Sequence, residues 1–163
     1  MFSPIINAII LLIHLFAAVI FIGGSFFMWL VVVPASFEVA KEESQRTMLV
    51  GRIAKRFGLV SNISLIVLIL TGIYNASWYL PSYSALLSTI PGRLLLAKVL
   101  SVALLLIGVY SHNVYFGRKI VSLAREGKVQ QLNALRKKSR VVSTFNLVMM
   151  IVILLIAALM QVY

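Results

Sequence analysis

The chain has 163 residues, is 61% apolar, and contains only four acids (Glu38, Glu42, Glu43, Glu126) and no aspartate; its mean hydropathy of +1.03 excludes an ordinary soluble domain and indicates one compact membrane unit. Fifteen Lys and Arg give a net charge of +11, which in so apolar a chain points to basic loops on one side of a bilayer rather than to nucleic acid. The absence of cysteine excludes disulfides, thiolate metal sites, thiol catalysis and covalent c-type haem.

The first apolar segment lies in an uncharged run from Met1 to Phe37. It lacks a basic flank and is too long for a signal sequence, so it is expected to be a retained helix. Three more apolar segments follow, and the four predicted helices cover about residues 5–33, 57–80, 94–115 and 141–163. The connections 34–56 and 116–140 hold thirteen of the fifteen basic residues, whereas Pro81 to Gly92 holds none. That asymmetry predicts an all-α integral membrane protein: an antiparallel four-transmembrane-helix bundle, residues 1–163 forming a single domain. Both termini are then outside, loops 34–56 and 116–140 are cytoplasmic, and the host membrane is a prokaryotic plasma membrane.

Both basic connections are expected to be partly helical, with pairs such as Glu42 and Arg46 supporting a helix surface and Gly127 breaking the second. In the outer connection, YSALLSTI suggests a short interfacial helix. Trp78, Tyr79, Tyr83 and Tyr163 suit the membrane surface.

Helical spacing then selects one stripe of small and polar residues per helix. The stripes are Asn7, His14, Ala17, Ala18, Phe21, Ser25 and Met28; Ser61, Ser64, Leu68, Thr71 and Asn75; Lys98, Ser101, Leu105, Gly108 and His112; and Ser143, Asn146, Met150, Ile153 and Ala157. They are expected to face one another.

His14 is the sharpest candidate, because an imidazole within the apolar layer needs a donor and an acceptor. It is either a haem or metal ligand, a structural residue paired with Asn75 or a hydroxyl of the second helix, or a proton relay. His112 is the obvious second axial ligand, but depth separates the two: at 1.5 Å per residue, His14 lies about 14 Å from the outer surface and His112 about 28 Å. Lys98, about 8 Å deep with a long stem, matches His14 better. It would ligate iron, bind a haem propionate or snorkel outward. His112 is either interfacial or holds a second cofactor or propionate. Copper is the alternative cargo, since thioethers favour Cu(I) and both Met28 and Met150 lie on inward stripes, while Met149 and Met160 are less clearly placed. There is no phosphate loop, intramembrane carboxylate pair or Ser-His-Asp set, so a hydrolase or nucleotide enzyme is not supported.

Taken together, His14, the pair Gly23-Gly24, the following aromatic residues and Pro34 resemble the four-helix membrane domain of the copper resistance protein D family. Lys98, the aliphatic run after it, Tyr110 and His112 are also similar to the membrane protoporphyrinogen oxidase family of bacterial haem synthesis. In the fourth helix Phe145-Asn146 is similar to that family's Phe-Asn-Glu-Pro, with Leu147 and Val148 in place of Glu and Pro. The second resemblance implies haem b held through His14 and Lys98; a redox or electron-transfer role would then have a quinone, a porphyrin or another membrane redox subunit as candidate partner. The site expected on these grounds comprises His14, Lys98, His112, Asn75 and Asn146. His14 is the iron ligand, and Lys98 or His112 takes the opposite axial position. Copper transport or handling through His14 and the inward methionines is the first alternative, and a non-catalytic subunit of a larger complex is the second.

Overall fold

The computed structural model describes residues 3–79 and 85–162, and all regular structure among them is helical. Four long helices, each apolar enough to cross a bilayer, dominate: α1 (Pro4–Val39), α2 (Glu43–Tyr79), α3 (Ile90–Arg125) and α4 (Val129–Leu159). A one-turn helix, Ala85–Ser88, precedes α3 within the stretch expected to form an interfacial helix. Tyr83 and Tyr163, and the side chains of Trp78 and Tyr79, lie outside the described residues.

The helices run well past the apolar segments that announce them. At 36 residues, α1 is about 54 Å long against a hydrocarbon layer of about 30 Å. Its start is specified locally: Ser3 accepts from the Ile6 amide, and Pro4 occupies the first turn, where its missing N–H costs nothing. Pro34, expected to end this helix, does not end it. The π-helical stretch Met28–Val32 lies just before it, and a widened turn relieves the bond and the space that a proline denies a regular α-helix. The helix instead stops where Ala40 turns extended, leaving three residues before α2.

Thr89 caps α3 by accepting from the Gly92 amide at 3.1 Å, with Pro91 again in the first turn. Gly127, at φ +67°, separates α3 from α4 in the left-handed conformation that glycine adopts without strain. Glu42, in contrast, lies in a bend just outside α2 and meets Arg46 through the backbone, its carbonyl accepting from the Arg46 amide at 3.1 Å. The Arg46 guanidinium lies over the Phe37 ring at 4.7 Å and donates to the Lys41 carbonyl.

All four stripes of small and polar residues turn inward, with none of their members fully exposed. Ser61, Ser64, Ser101, Gly108 and Asn146 are buried, whereas Ile5, Phe16, Leu59, Ile73, Ile107 and Leu155 are each more than half exposed, as lipid-facing residues are. Phe21, Leu105, Leu147 and Met150 form the central apolar cluster, and Leu95, Ile156 and Met160 a second one towards the other end of α3 and α4. Two glycines permit the closest approaches. A Cβ at Gly24 would overlap the Phe57 ring, and one at Gly108 would overlap the Asn146 amide. Contacts between α1 and α2 pair Asn7 with Tyr74, His14 with Thr71 and Gly24 with Phe57, so numbers fall along α2 as they rise along α1. At the far polar end, Arg136 of α4 forms an ion pair with Glu43 and bonds Thr47, both of α2.

Candidate functional site

The bundle carries polar chemistry at two levels. Along α1 the marker residues are His14 and Met28, and along α3 they are Lys98 and His112; each pair is separated by fourteen positions, about 21 Å of helix.

At the first level, His14 Nδ1 lies 2.7 Å from Thr71 Oγ1, and Thr71 donates its only hydroxyl proton to the Val67 carbonyl at 2.6 Å. The hydroxyl oxygen can therefore only accept from the ring. That fixes His14 as the Nδ1–H tautomer, with the Nε2 lone pair left over. Gly72 leaves room for the ring, whose Cε1 stands 3.4 Å from where a Cβ would be. Asn75, one turn beyond Thr71 on the same face of α2, has both amide atoms buried and without a hydrogen-bond partner. Two turns before His14, Asn7 accepts from the Tyr74 hydroxyl at 2.8 Å. Among the sequence-based alternatives for His14, the hydroxyl of the second helix is the partner found, not Asn75.

The second level holds a cavity of about 150 Å³ lined by residues that include Met28, His112, Ser143, Asn146 and Met150. The three π-helical stretches, Val19–Gly23, Met28–Val32 and Ser111–Phe116, each contribute to its wall, through Phe21, Met28 and His112 respectively. A π-turn inserts one extra residue and turns the following side chains away from regular α-helical phase, a distortion that concentrates at functional sites. His112 Nε2 is 3.1 Å from Ser139 Oγ, which orients the ring. Asn146 is 6% exposed, and its Oδ1 is buried without a partner.

The expected ligand set is thus divided. His14 bonds Thr71, one turn from Asn75 on α2, and Lys98 stands fourteen positions before His112 on α3, while His112 and Asn146 line the cavity at the second level, as the depth difference between the histidines requires. Copper ligation by His14 together with the inward methionines is likewise not what the bundle assembles: Met28 and Met150 share their cavity with His112. The regular spacing of fourteen residues on both α1 and α3 was the available signal for that grouping. Its decisive element, the π-turns, follows no simple residue pattern.

The haem reading gains no support from the hollows beside these residues. The cavity beside His112 is well below the roughly 300 Å³ at which cofactor pockets begin. A larger hollow of about 550 Å³ between α2 and α3 is lined by residues such as Asn62, Leu106 and Tyr110 and includes no histidine or lysine. Neither hollow offers His14 to a macrocycle. Among the described residues no three His, Cys, Asp or Glu side chains come together either.

Comparison with protein families gives a match to copper resistance protein D over residues 51–160, about two thirds of the chain. The chain belongs to the copper resistance protein D family. The match covers most of α2, all of α3 and α4 as far as Met160, and with them Thr71, Asn75, Lys98, His112, Asn146 and Met150; His14 and Met28 lie before it. The match supports the resemblance to copper resistance protein D, although His14, Gly23-Gly24 and Pro34, on which it was read, lie before residue 51, and the resemblance to the protoporphyrinogen oxidases gains no support. No curated protein and no solved structure matches the chain.

Proposed function

We propose that this member of the copper resistance protein D family handles copper within the membrane, as cargo rather than as a resident cofactor. The observation that carries the reading is the cavity that Met28, Met150 and His112 line together. Neutral sulfur and nitrogen donors suit Cu(I), and with no carboxylate or thiolate beside it the ion leaves as readily as it enters. Ser139 orients the imidazole. Asn146 Oδ1, the buried acceptor without a partner, supplies a dipole that stabilises a monovalent cation in a low-dielectric cavity.

The proposed unit is the whole of residues 1–163, an antiparallel bundle in a prokaryotic plasma membrane with both termini outside. The basic connections 34–56 and 116–140 then face the cytoplasm. In that orientation the His14 level is nearer the outside and the methionine cavity nearer the cytoplasm, so copper would meet the two in sequence. Quinone, porphyrin and redox-subunit partners belong to the haem reading and are not carried forward.

Metal analysis and an absorption spectrum of the protein purified from copper-supplemented cells test this. Bound copper that is lost in the Met28→Leu/Met150→Leu variant, with no Soret band, is the expected result. A Soret band that shifts on reduction would replace copper with haem.

A further inference from the structure

We infer that the groove between α2 and α3 is a binding site for one anionic phospholipid, whose acyl chain lies in the groove and whose phosphate is held by Lys55 and Arg118. The site is independent of copper and needs only that the four helices stand in a bilayer.

The hollow of about 550 Å³ is lined by α2 and α3 alone, and Asn62, Ile107, Tyr110, Ser111, Asn113 and Val114 of its wall are exposed, so it opens sideways to lipid. Its volume is that of a ligand pocket. The register of the two helices shows what lies at its basic end. A Cβ at Gly51 of α2 would stand 4.0 Å from Val121 of α3. Eleven positions on from Gly51 is Asn62, and eleven back from Val121 is Tyr110; both line the groove, as do Leu65 and Ile107 three positions further. The same count sets Lys55 level with Gly117, next to Arg118, between the Gly51 contact and the groove.

Lys55 is seven positions from Asn62 and so on the same face of α2, and Arg118 is four positions beyond Val114 of the groove wall. Both are exposed, about 10 Å of helix from Asn62 and Ser111, a gap that their long side chains shorten. Neighbouring Lys119 is instead held over the Tyr115 ring at 5.3 Å. Carboxylates do not compete. Glu43 pairs with Arg136 and Glu126 with Lys128, and no Asp or Glu lies between these two glutamates in the sequence. Asn62 is an exposed carboxamide five positions inside the apolar part of α2, a costly placement unless it meets a polar group. The ester carbonyls that join a phospholipid's chains to its headgroup are acceptors for such amide donors. A partner helix, about 10–12 Å across, is too wide for a gap between helices that touch at Gly51 and Val121, whereas an acyl chain is not. Basic pockets between membrane helices hold anionic headgroups by the same pairing of charge and slot.

Native mass spectrometry of the detergent-purified full chain tests this, with phosphatidylglycerol or phosphatidylcholine of identical acyl chains added. One phosphatidylglycerol per chain is expected to survive detergent stripping, and phosphatidylcholine is not. Lys55→Gln/Arg118→Gln removes two cations at the membrane surface and should weaken retention by roughly thirtyfold. Lys137→Gln/Lys138→Gln removes the same charge from exposed positions of α4 and should leave retention unchanged. Asn62→Trp, which fills the groove and keeps every cation, should also lose the lipid. Wild-type protein needs no variant for a second measurement: its unfolding temperature should rise with phosphatidylglycerol and not with phosphatidylcholine. Equal retention of the two lipids, equal loss in the two double variants, or an unfolding temperature indifferent to headgroup overturns the inference. So does displacement of the lipid by glycerol phosphate, which would mean that the phosphate alone is recognised, or a dimer that forms only without lipid, which would put a second copy in the groove.

Discussion

His14 and His112 are both half-buried imidazoles on inward helix faces, yet their surroundings differ in kind. At His14 the partner is the Thr71 hydroxyl, on regular α-helix, and the ring's tautomer follows from one chain of hydrogen bonds. Around His112 the neighbours include two thioethers, the helices carry π-turns, and a cavity is present. Residue type alone therefore does not make a metal site. The first level has hydrogen-bond order, and the second has space lined by soft donors. A family match that begins at residue 51 takes in the α2, α3 and α4 contributions to both levels and leaves out the α1 residue of each, His14 and Met28.

The strongest way to break this contrast is to exchange the levels' roles. Met28→Leu/Met150→Leu should abolish copper retention measured by elemental analysis of purified protein, while His14→Ala leaves most of it. Equal loss in both variants would mean that the two levels form one site. Next in size is Gly108→Val, which drives a side chain into Asn146. Over-packing of this kind typically costs about 1–3 kcal/mol, and should appear as a lower unfolding temperature in detergent. Pairing it with Asn146→Ala should recover part of the loss, and no recovery would place the strain elsewhere.

Thr71→Val sharpens the first level. It removes the acceptor that holds His14 Nδ1–H, costs about 0.6–1.7 kcal/mol as membrane hydrogen bonds do, and should turn a single imidazole tautomer into a mixture visible in nitrogen NMR. A single tautomer that persists would show that something other than Thr71 fixes the ring. The smallest effect is expected for Arg136→Gln. Its ion pair with Glu43 is about one-third exposed on both sides, so a change of at most about 1 kcal/mol is expected, falling with added salt. A larger, salt-independent loss would mark that contact as a structural clamp between α2 and α4.

Four apolar segments, their inward stripes and the basic connections are all legible in the amino-acid order, because lipid permits only residues that satisfy their own backbone bonds and helical phase puts every third or fourth side chain on one face. The break at Gly127 and the helical character of the polar connections follow from equally local rules. The separation of His14 from His112 was also within reach, since rise per residue converts sequence number into depth. What only the tertiary structure decided is which residues at each depth meet. Pro34 passes through a helix because a π-turn precedes it, Met28 and His112 reach one cavity through similar turns, and Asn146 fits only because Gly108 opposes it. Each of these depends on the turn geometry of one helix and the side-chain volume of another, a pairwise fit that no single segment encodes.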